Sequence, residues 1–569
     1  MSFRRLSKPG VETAAALAGT AFSAILLVLA AMNAGPLWRD ETNTFNVALM
    51  PSFRGLWNNL PFESFPLFWP LLLRAYSFLG FTGSDAGIRV LGLGIGLFFL
   101  ASLWLCSRWM RARAPILSIA LLSSLPAFIF IIGANRAYGL AGCLLVLSFG
   151  LIWRMVETSS TPSKARILGA GLVCLLFAQC LYYDSIFLSA MLAGGALVAI
   201  RRRQWKTLGA LVGIGAVSGA SMAIYLPVIH QGSAYLPMIR SPFFHSSALW
   251  NGFCDTLAAR SSADPDGANG PLIWFWIELL LVGFVVAIAM QWGRSRQARN
   301  PEAATGDSVS ARPDLALFCI VSLILGTAGC FGFLLKLQFF LQPWYFLEVL
   351  VLCAISLDGI LGANWPALRP WGVLRIGFMV VLMALSAKPA WAEAHTRRSN
   401  VDMAAAFLGQ KASVGDLIVV QEAWVGITFN RYYRGPSRWL TVPPIDSHEV
   451  HRNDLVMERM THPDTMVPVL QEITNTLRQG YSVWVVGSIP FAPLPKLPPK
   501  PTSLPPPPLK LSTRWWLGSY LYYWNQQVAT HLYEFALQEQ TQQIPAPGPV
   551  NSLEDVFVVR FSGYKPGTE

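Results

Sequence analysis

About eleven apolar stretches dominate this chain, each near the 20 residues that a helix needs to cross a bilayer core. They fall at roughly 14–34, 87–107, 115–133, 138–153, 166–182, 185–200, 207–228, 271–292, 314–335, 339–361 and 372–390. Backbone groups in hydrocarbon must pair among themselves, so runs of this length read as helices. With 53% hydrophobic and 13% charged residues over 569 positions and a mean hydropathy of +0.45, the composition excludes an ordinary soluble protein. The expected fold is an α-helical polytopic membrane protein of about eleven transmembrane helices over residues 1–390, with a small α/β domain after it.

Lys and Arg gather in short cytoplasmic loops, which fixes an expected orientation. Arg4, Arg5 and Lys8 precede the first run and place the N-terminus inside. The alternate boundaries that follow are also basic: Arg108/Arg111/Arg113, Arg154/Lys164/Arg166, Arg201/Arg202/Arg203/Lys206, Arg294/Arg296/Arg299/Arg312 and Arg369/Arg375. Most of the net charge of +12 is therefore topogenic. Being dispersed over membrane loops, it forms no groove or stripe for nucleic acid. The first run lacks a small-residue cleavage site and reads as a retained span. Residues 35–86, the turns at Arg136 and Tyr182-Tyr183-Asp184, residues 229–270 and the region after about 391 are expected on the outer face. Seven of the eight cysteines lie in or at the edge of apolar runs and only Cys254 in an outer loop, a distribution that suits helix packing better than a disulfide framework.

The extramembrane region, 391–569, has mixed signals. Residues 416–420 and 482–487 read as short buried strands, and 400–411 and 466–479 have helical periodicity. The proline-rich stretch 490–508 favours polyproline II and is read as a surface spacer or a recognition peptide. Residues 511–540, rich in Trp and Tyr, suit either an interfacial amphipathic helix or a helix packed on the α/β domain.

The first outer loop concentrates the acids. Arg39, Asp40 and Glu41 follow the first run, and Glu63 stands beside a stretch, 66–80, that Pro66, Pro70 and Arg74 make too short and interrupted to span. That stretch is expected to be a juxtamembrane helix, since a full crossing would invert every later loop. Carboxylates at a membrane boundary can act as general bases or bind a divalent cation. The alternative reading makes Asp40 a helix cap and leaves Glu63 solvated.

These residues resemble a known pattern. Arg39-Asp40-Glu41, Phe62-Glu63-Ser64-Phe65-Pro66-Leu67, Leu71-Leu72-Leu73-Arg74 and Phe78-Leu79-Gly80, followed by Asp85 and Arg89, are similar to the first loop of integral-membrane glycosyltransferases of the GT-C superfamily. The nearest resemblance is to bacterial relatives of protein O-mannosyltransferases (family 39) and to lipid A aminoarabinose transferases. Asn135-Arg136-Ala137-Tyr138-Gly139-Leu140 and Gln342-Pro343-Trp344-Tyr345-Phe346 resemble two further motifs of that group.

The resemblance implies transfer of a sugar from a polyprenyl-phosphate donor to a lipid, glycan or protein acceptor, at the periplasmic face of a bacterial cytoplasmic membrane. A lipid phosphate leaves without strong acid help, so such a site needs one base and cations for the phosphate. Asp40 is the expected base, attacking from the face opposite the phosphate by inverting single displacement, in analogy with inverting glycosidases. Glu63 would orient the acceptor or hold a divalent cation, and Glu41, the third acid of the catalytic set, would cap the helix or support the other two. Arg136 and Lys336, each at an outer helix end, are the expected phosphate cations, with Arg39, Tyr138, Gln342 and Tyr345 adding contacts. Ser64 replaces the Lys that the aminoarabinose transferases carry after their Phe-Glu pair, which argues against that specificity; Gln338 and Gln342 stand where Arg is common, and Asp184 has no obvious equivalent. Beyond membrane lipids, donor and acceptor, no partner is implied. Hydrolase, P-loop and Cys-x-x-Cys motifs are absent from the sequence. Two other classes remain open: a transporter, which would carry mid-span charges and internal repeats, and a non-catalytic scaffold for envelope polysaccharide.

Overall fold

The structure, a computed structural model, describes residues 9–158, 161–262, 270–299, 311–362, 371–487, 496–505 and 515–566. Among the described residues, nine helices are long and apolar enough to cross a membrane: Gly10–Asn33, Asp85–Trp109, Ala137–Glu157, Asp184–Arg201, Trp205–Ala223, Gly270–Trp292, Pro313–Leu337, Pro343–Leu361 and Gly372–Ala394. Two of the eleven expected runs fall short of that length. The run 115–133 breaks into Ile116–Ser123 and Pro126–Ile132, with Leu125 extended at φ −99°, ψ 115°. Pro126 has no N–H to give and pushes the residue before it out of helical space. The run 166–182 yields Lys164–Ala178, 15 residues, or about 22 Å of helix.

Both short pieces nonetheless join the same two ends of the bundle. Ahead of the broken pair, Arg113 meets Glu12 at 2.8 Å; after it, the N–H of Asn135 donates to Glu41 at 2.9 Å. Lys164–Ala178 begins beyond Thr158, whose carbonyl takes Gln204 Nε2 at 2.8 Å. It ends at Gln179, which accepts the Tyr225 hydroxyl at 2.6 Å, and that hydroxyl also receives the N–H of Leu67 in the first loop. The far end is tied by buried pairs, Glu12 with Arg113 and Arg375 and Asp314 with Arg202. These carry the basic loop residues noted above. Charges there are costly unless paired, and each is paired.

At the other end, Phe68–Ser77 is a 10-residue helix, too short to cross. All eight cysteines are free, seven of them buried, and Asp184 caps its own turn by accepting the N–H of Leu181 at 3.0 Å.

The C-terminal region forms one five-stranded sheet of order β2-β1-β3-β5-β4: β1 (Leu417–Gln421), β2 (Arg438–Val442), β3 (Val483–Gly487), β4 (Ala536–Gln542) and β5 (Phe557–Tyr564). β1 is parallel to β2 and β3, while β5 is antiparallel to β3 and β4. Side chains of β1 and β3 alternate between two buried layers. Ile418, Val420 and Trp484 meet Val401, Leu408 and Phe429, while Leu417, Val419 and Val485 meet Ile473, Trp524 and Leu532. The aromatic segment takes the second of its two expected forms. Helix Leu517–Phe535 packs Trp524, Val528 and Leu532 on the sheet, and the chain then turns at Ala536 into the polar edge strand β4. Of the proline-rich stretch, 490–495 and 506–508 lie outside the described residues. Residues 496–505 carry no helix or strand, with Leu504 buried and its N–H on Met460.

Candidate active site

The chain leaves the first long helix and enters Arg39–Ala48 through Trp38, which is extended at φ −80°, ψ 168°. Asp40 and Glu41 occupy the first turn of that helix, where its positive end favours acids. Neither serves as the side-chain cap. Adjacent helix positions point about 100° apart, so the two carboxylates part company.

Glu41 turns inward and is fully buried. Its Oε1 receives Arg89 Nη1 at 2.5 Å, Arg398 Nη1 at 3.2 Å and the N–H of Asn135 at 2.9 Å. Burial alone would raise its pKa, yet the two guanidiniums and the amide outweigh it and hold the carboxyl below the usual range. A carboxylate sealed in this way cannot reach a substrate. The expected catalytic role of Glu41 is therefore corrected: it pins the first loop to the helix Asp85–Trp109 and to the segment after the last long helix.

Asp40 turns to the mouth of the site, where its side chain keeps 22% of its exposure. Arg136 Nη2 lies 3.7 Å from Oδ2, and Arg39 Nε stands 4.0 Å from Oδ1. Arg136 is the residue before helix Ala137–Glu157, and its extended backbone aims the side chain back under Asp40. There Nη1 donates to the Asp40 carbonyl at 3.0 Å, Thr44 Oγ1 at 3.1 Å and Glu63 Oε1 at 3.4 Å, with the guanidinium 4.4 Å over the Phe65 ring. Burial works against its charge, but Glu63 and Asp40 more than restore it, so its pKa stands above the ordinary value.

Glu63 lies beneath this pair, its side chain 1% exposed. Thr44 Oγ1 donates to Oε2 at 2.6 Å, Asn43 Nδ2 to Oε2 at 2.9 Å and the N–H of Ser64 to Oε1 at 2.9 Å. Burial pushes its carboxyl pKa up against the pull of Arg136. The solvated alternative for Glu63 is thus overturned. Both of its oxygens are engaged by protein donors, and among the described residues no group of three or more His, Cys, Asp or Glu is placed to hold a metal ion. The donor set does not fit the divalent cation expected at Glu63.

Of the other expected residues, Tyr138 is buried two positions beyond Arg136 and lies close enough to interact with it. Tyr345 is near enough to feel the charges of Asp40 and Arg136. Gln342 stands just before the short turn Pro343–Phe346, and among the described contacts none joins its side chain to the cluster. Lys336 stands exposed near the end of its helix, its carbonyl taken by Arg240 Nη2, and among the described contacts none joins it to Asp40 or Arg136.

The C-terminal region supplies what the sequence did not reveal. Glu422, just past β1 at φ +68°, faces Arg39 Nη1 at 3.6 Å. Glu554 Oε1 accepts the N–H of Arg39 at 3.2 Å and the Thr428 hydroxyl at 2.8 Å. The N–H of His451 donates to Asn43 Oδ1 at 2.7 Å, and its Nε2 comes within 3.8 Å of Asp40 Oδ1. The only local signal was the dense run His448-Glu449-Val450-His451. Without knowing which surface it meets, such a run is mute.

Fold and site together define a class: a multi-pass helical membrane protein whose first extramembrane loop and mixed α/β region close around the part-open carboxylate of Asp40. No family model matches the chain, and no curated protein matches it. Among solved structures, it is similar to an oligosaccharyltransferase of Archaeoglobus fulgidus tethered to an acceptor peptide, at 11% identity, TM-score 0.41, over 83% of this chain and 68% of the other. It is also similar to ArnT of Cupriavidus metallidurans at 13% identity over 83% of this chain and 92% of that one, with TM-scores of 0.34 for the form bound to undecaprenyl phosphate and 0.35 for the apo form.

Proposed function

We propose that the protein is a GT-C-type, family-39-like glycosyltransferase that moves a sugar from a polyprenyl phosphate to a hydroxyl-bearing acceptor at the outer face of a bacterial cytoplasmic membrane. The observation that carries this reading is Asp40, a part-open carboxylate held 3.7 Å from the buried Arg136 guanidinium, which Glu63 anchors from below. A lone pair of the acceptor oxygen attacks the anomeric carbon, the bond from that carbon to the phosphate oxygen breaks, and Asp40 takes the acceptor proton. Polyprenyl phosphate leaves with the electron pair, and the anomeric configuration inverts.

Within this reading the cations divide the work. Arg136 is committed to Asp40, Thr44 and Glu63, so it fixes the base; Arg39, part-exposed at the mouth and held only by long ion pairs of 3.6 Å to Glu422 and 4.0 Å to Asp40, is the guanidinium that can turn to phosphate. An apolar cavity of about 530 Å³ suits the polyprenyl tail, with Phe253, Leu257, Phe284, Phe331 and Cys353 in its wall. Phe253 packs edge-on to Phe346, next to Tyr345, which connects that wall to the polar site.

The test is sugar transfer by the purified protein in lipid, from radiolabelled polyprenyl-phosphate hexoses and pentoses into total membrane lipid, glycan and protein fractions. Transfer that depends on Asp40 is expected. No transfer from any donor of the panel would overturn the reading.

A further inference from the structure

We infer that His451 is the second pole of the acceptor site, so that one acceptor hydroxyl bridges His451 Nε2 and Asp40 Oδ1. The inference rests on the glycosyltransferase reading above and adds to it a residue from the C-terminal region.

Four observations carry it. His451 Nε2 is buried and has no hydrogen-bond partner, although a carboxylate oxygen lies 3.8 Å away. Buried polar atoms are rarely left unpaired, and one at a site mouth calls for a ligand. The distance is too long for a direct hydrogen bond, yet it lets a single oxygen sit about 2.7–2.9 Å from both atoms. The backbone of His451 is fixed by its N–H on Asn43 Oδ1, and Asn43 in turn donates to Glu63, so the imidazole is positioned by the same network that holds Arg136. Two residues before His451, the Glu449 carbonyl takes Asn46 Nδ2 at 2.6 Å, a second tie to the helix that bears Asp40.

The charged groups facing the ring are Asp40, Arg136 and Arg39. Burial lowers its pKa to about 4, with the two guanidiniums opposing the pull of Asp40, so the imidazole is neutral at pH 7. A neutral ring with Nε2–H donates to the acceptor oxygen while that oxygen gives its proton to Asp40. The hydroxyl is thereby held with its remaining lone pair directed away from both groups and free for attack. His451 would touch the reacting oxygen and qualify as catalytic.

The experiment compares wild type, His451→Ala, His451→Gln and Asp40→Asn in transfer from the radiolabelled polyprenyl-phosphate panel, at limiting and saturating amounts of the membrane acceptor fraction. His451→Ala is expected to cut transfer about 10-fold or more at limiting acceptor while the half-saturating donor concentration stays within about 2-fold. His451→Gln, whose amide nitrogen can occupy the Nε2 position, should recover part of the loss. An active wild type with unchanged His451→Ala kinetics, or a loss that appears in donor saturation and is not relieved by Gln, overturns the proposal and leaves the glycosyltransferase reading standing. An inactive wild type overturns both. Thermal midpoints of the Ala and Gln variants that match that of wild type separate a loss of transfer from a loss of folding.

Discussion

Arg398 Nη1 lies 3.2 Å from Glu41 Oε1, joining residues 357 positions apart at a point where neither is open to solvent. Arg89 reaches the same oxygen from the second long helix, so one carboxylate joins the first loop, the bundle and the entry to the C-terminal region. Glu41→Gln removes the charge and strands two buried guanidiniums. Removing one member of such a pair costs about 3–5 kcal/mol, and the variant is expected to unfold several degrees below wild type in detergent. An unchanged midpoint would mean that the two arginines find other partners.

Asp40→Asn tests the neighbouring carboxylate, with the opposite outcome. Asp40 is part-exposed, its ion pairs with Arg136 and Arg39 are long at 3.7 and 4.0 Å, and Glu63 stays beside Arg136, so folding should be retained while transfer falls about 100-fold or more, the scale of a lost general base. Wild-type turnover by this variant would remove Asp40 from the mechanism. Adjacent residues in one helical turn thus separate stability from catalysis.

Arg136 and Arg39 should split kinetically. Arg136→Lys keeps a charge but loses the fork that spans Asp40, Thr44 and Glu63. A fall in kcat of roughly an order of magnitude with little change in donor KM is expected. Arg39→Ala should instead raise donor KM. The reverse pattern would make Arg136 the phosphate ligand.

Glu554 provides a pH signature. Burial raises its pKa from 4.5 to about 7, against Arg39 and the Ser399 and Thr428 hydroxyls. The folded state therefore holds a proton that the unfolded state releases at lower pH. Its contribution is fully present below about pH 4.5 and is lost as pH rises through 7. Other groups titrate in the same window, so the readout is a difference: wild type should lose thermal stability relative to Glu554→Gln as pH rises from 5 to 8. A constant gap would show that Glu554 is ionised throughout.

Orientation is testable without any substrate. Single cysteines introduced at Asp40, His245 and the exposed Asp446 should react with an impermeant thiol reagent added outside intact cells, and those at Glu157 and Arg203 should not, if the basic loops face the cytoplasm. Labelling at position 203 in place of 446 would put the site on the cytoplasmic side and end the proposed use of an outer-face donor.

The sequence by itself determined the membrane architecture, because crossing hydrocarbon demands a length and polarity that are written locally. It also determined β1, β3 and helices Val401–Lys411 and Val467–Arg478, whose apolar periodicity is strong. It did not reveal the break at Pro126 as two helices, nor β2, β4 and β5; β4, Ala-Leu-Gln-Glu-Gln-Thr-Gln, has no strand pattern and exists through its pairing with β5. The acids of the first loop were legible as a cluster, but their roles were not. Whether Asp40 or Glu41 faces the mouth depends on where Arg89, Arg136 and Arg398 arrive from other parts of the chain. Only the tertiary structure decided that Glu41 is sealed, that Lys336 lies apart, and that Glu422, His451 and Glu554 come to the site. Electrostatic function falls off over a few ångströms, while the residues that share this site are separated in sequence by up to 515 positions.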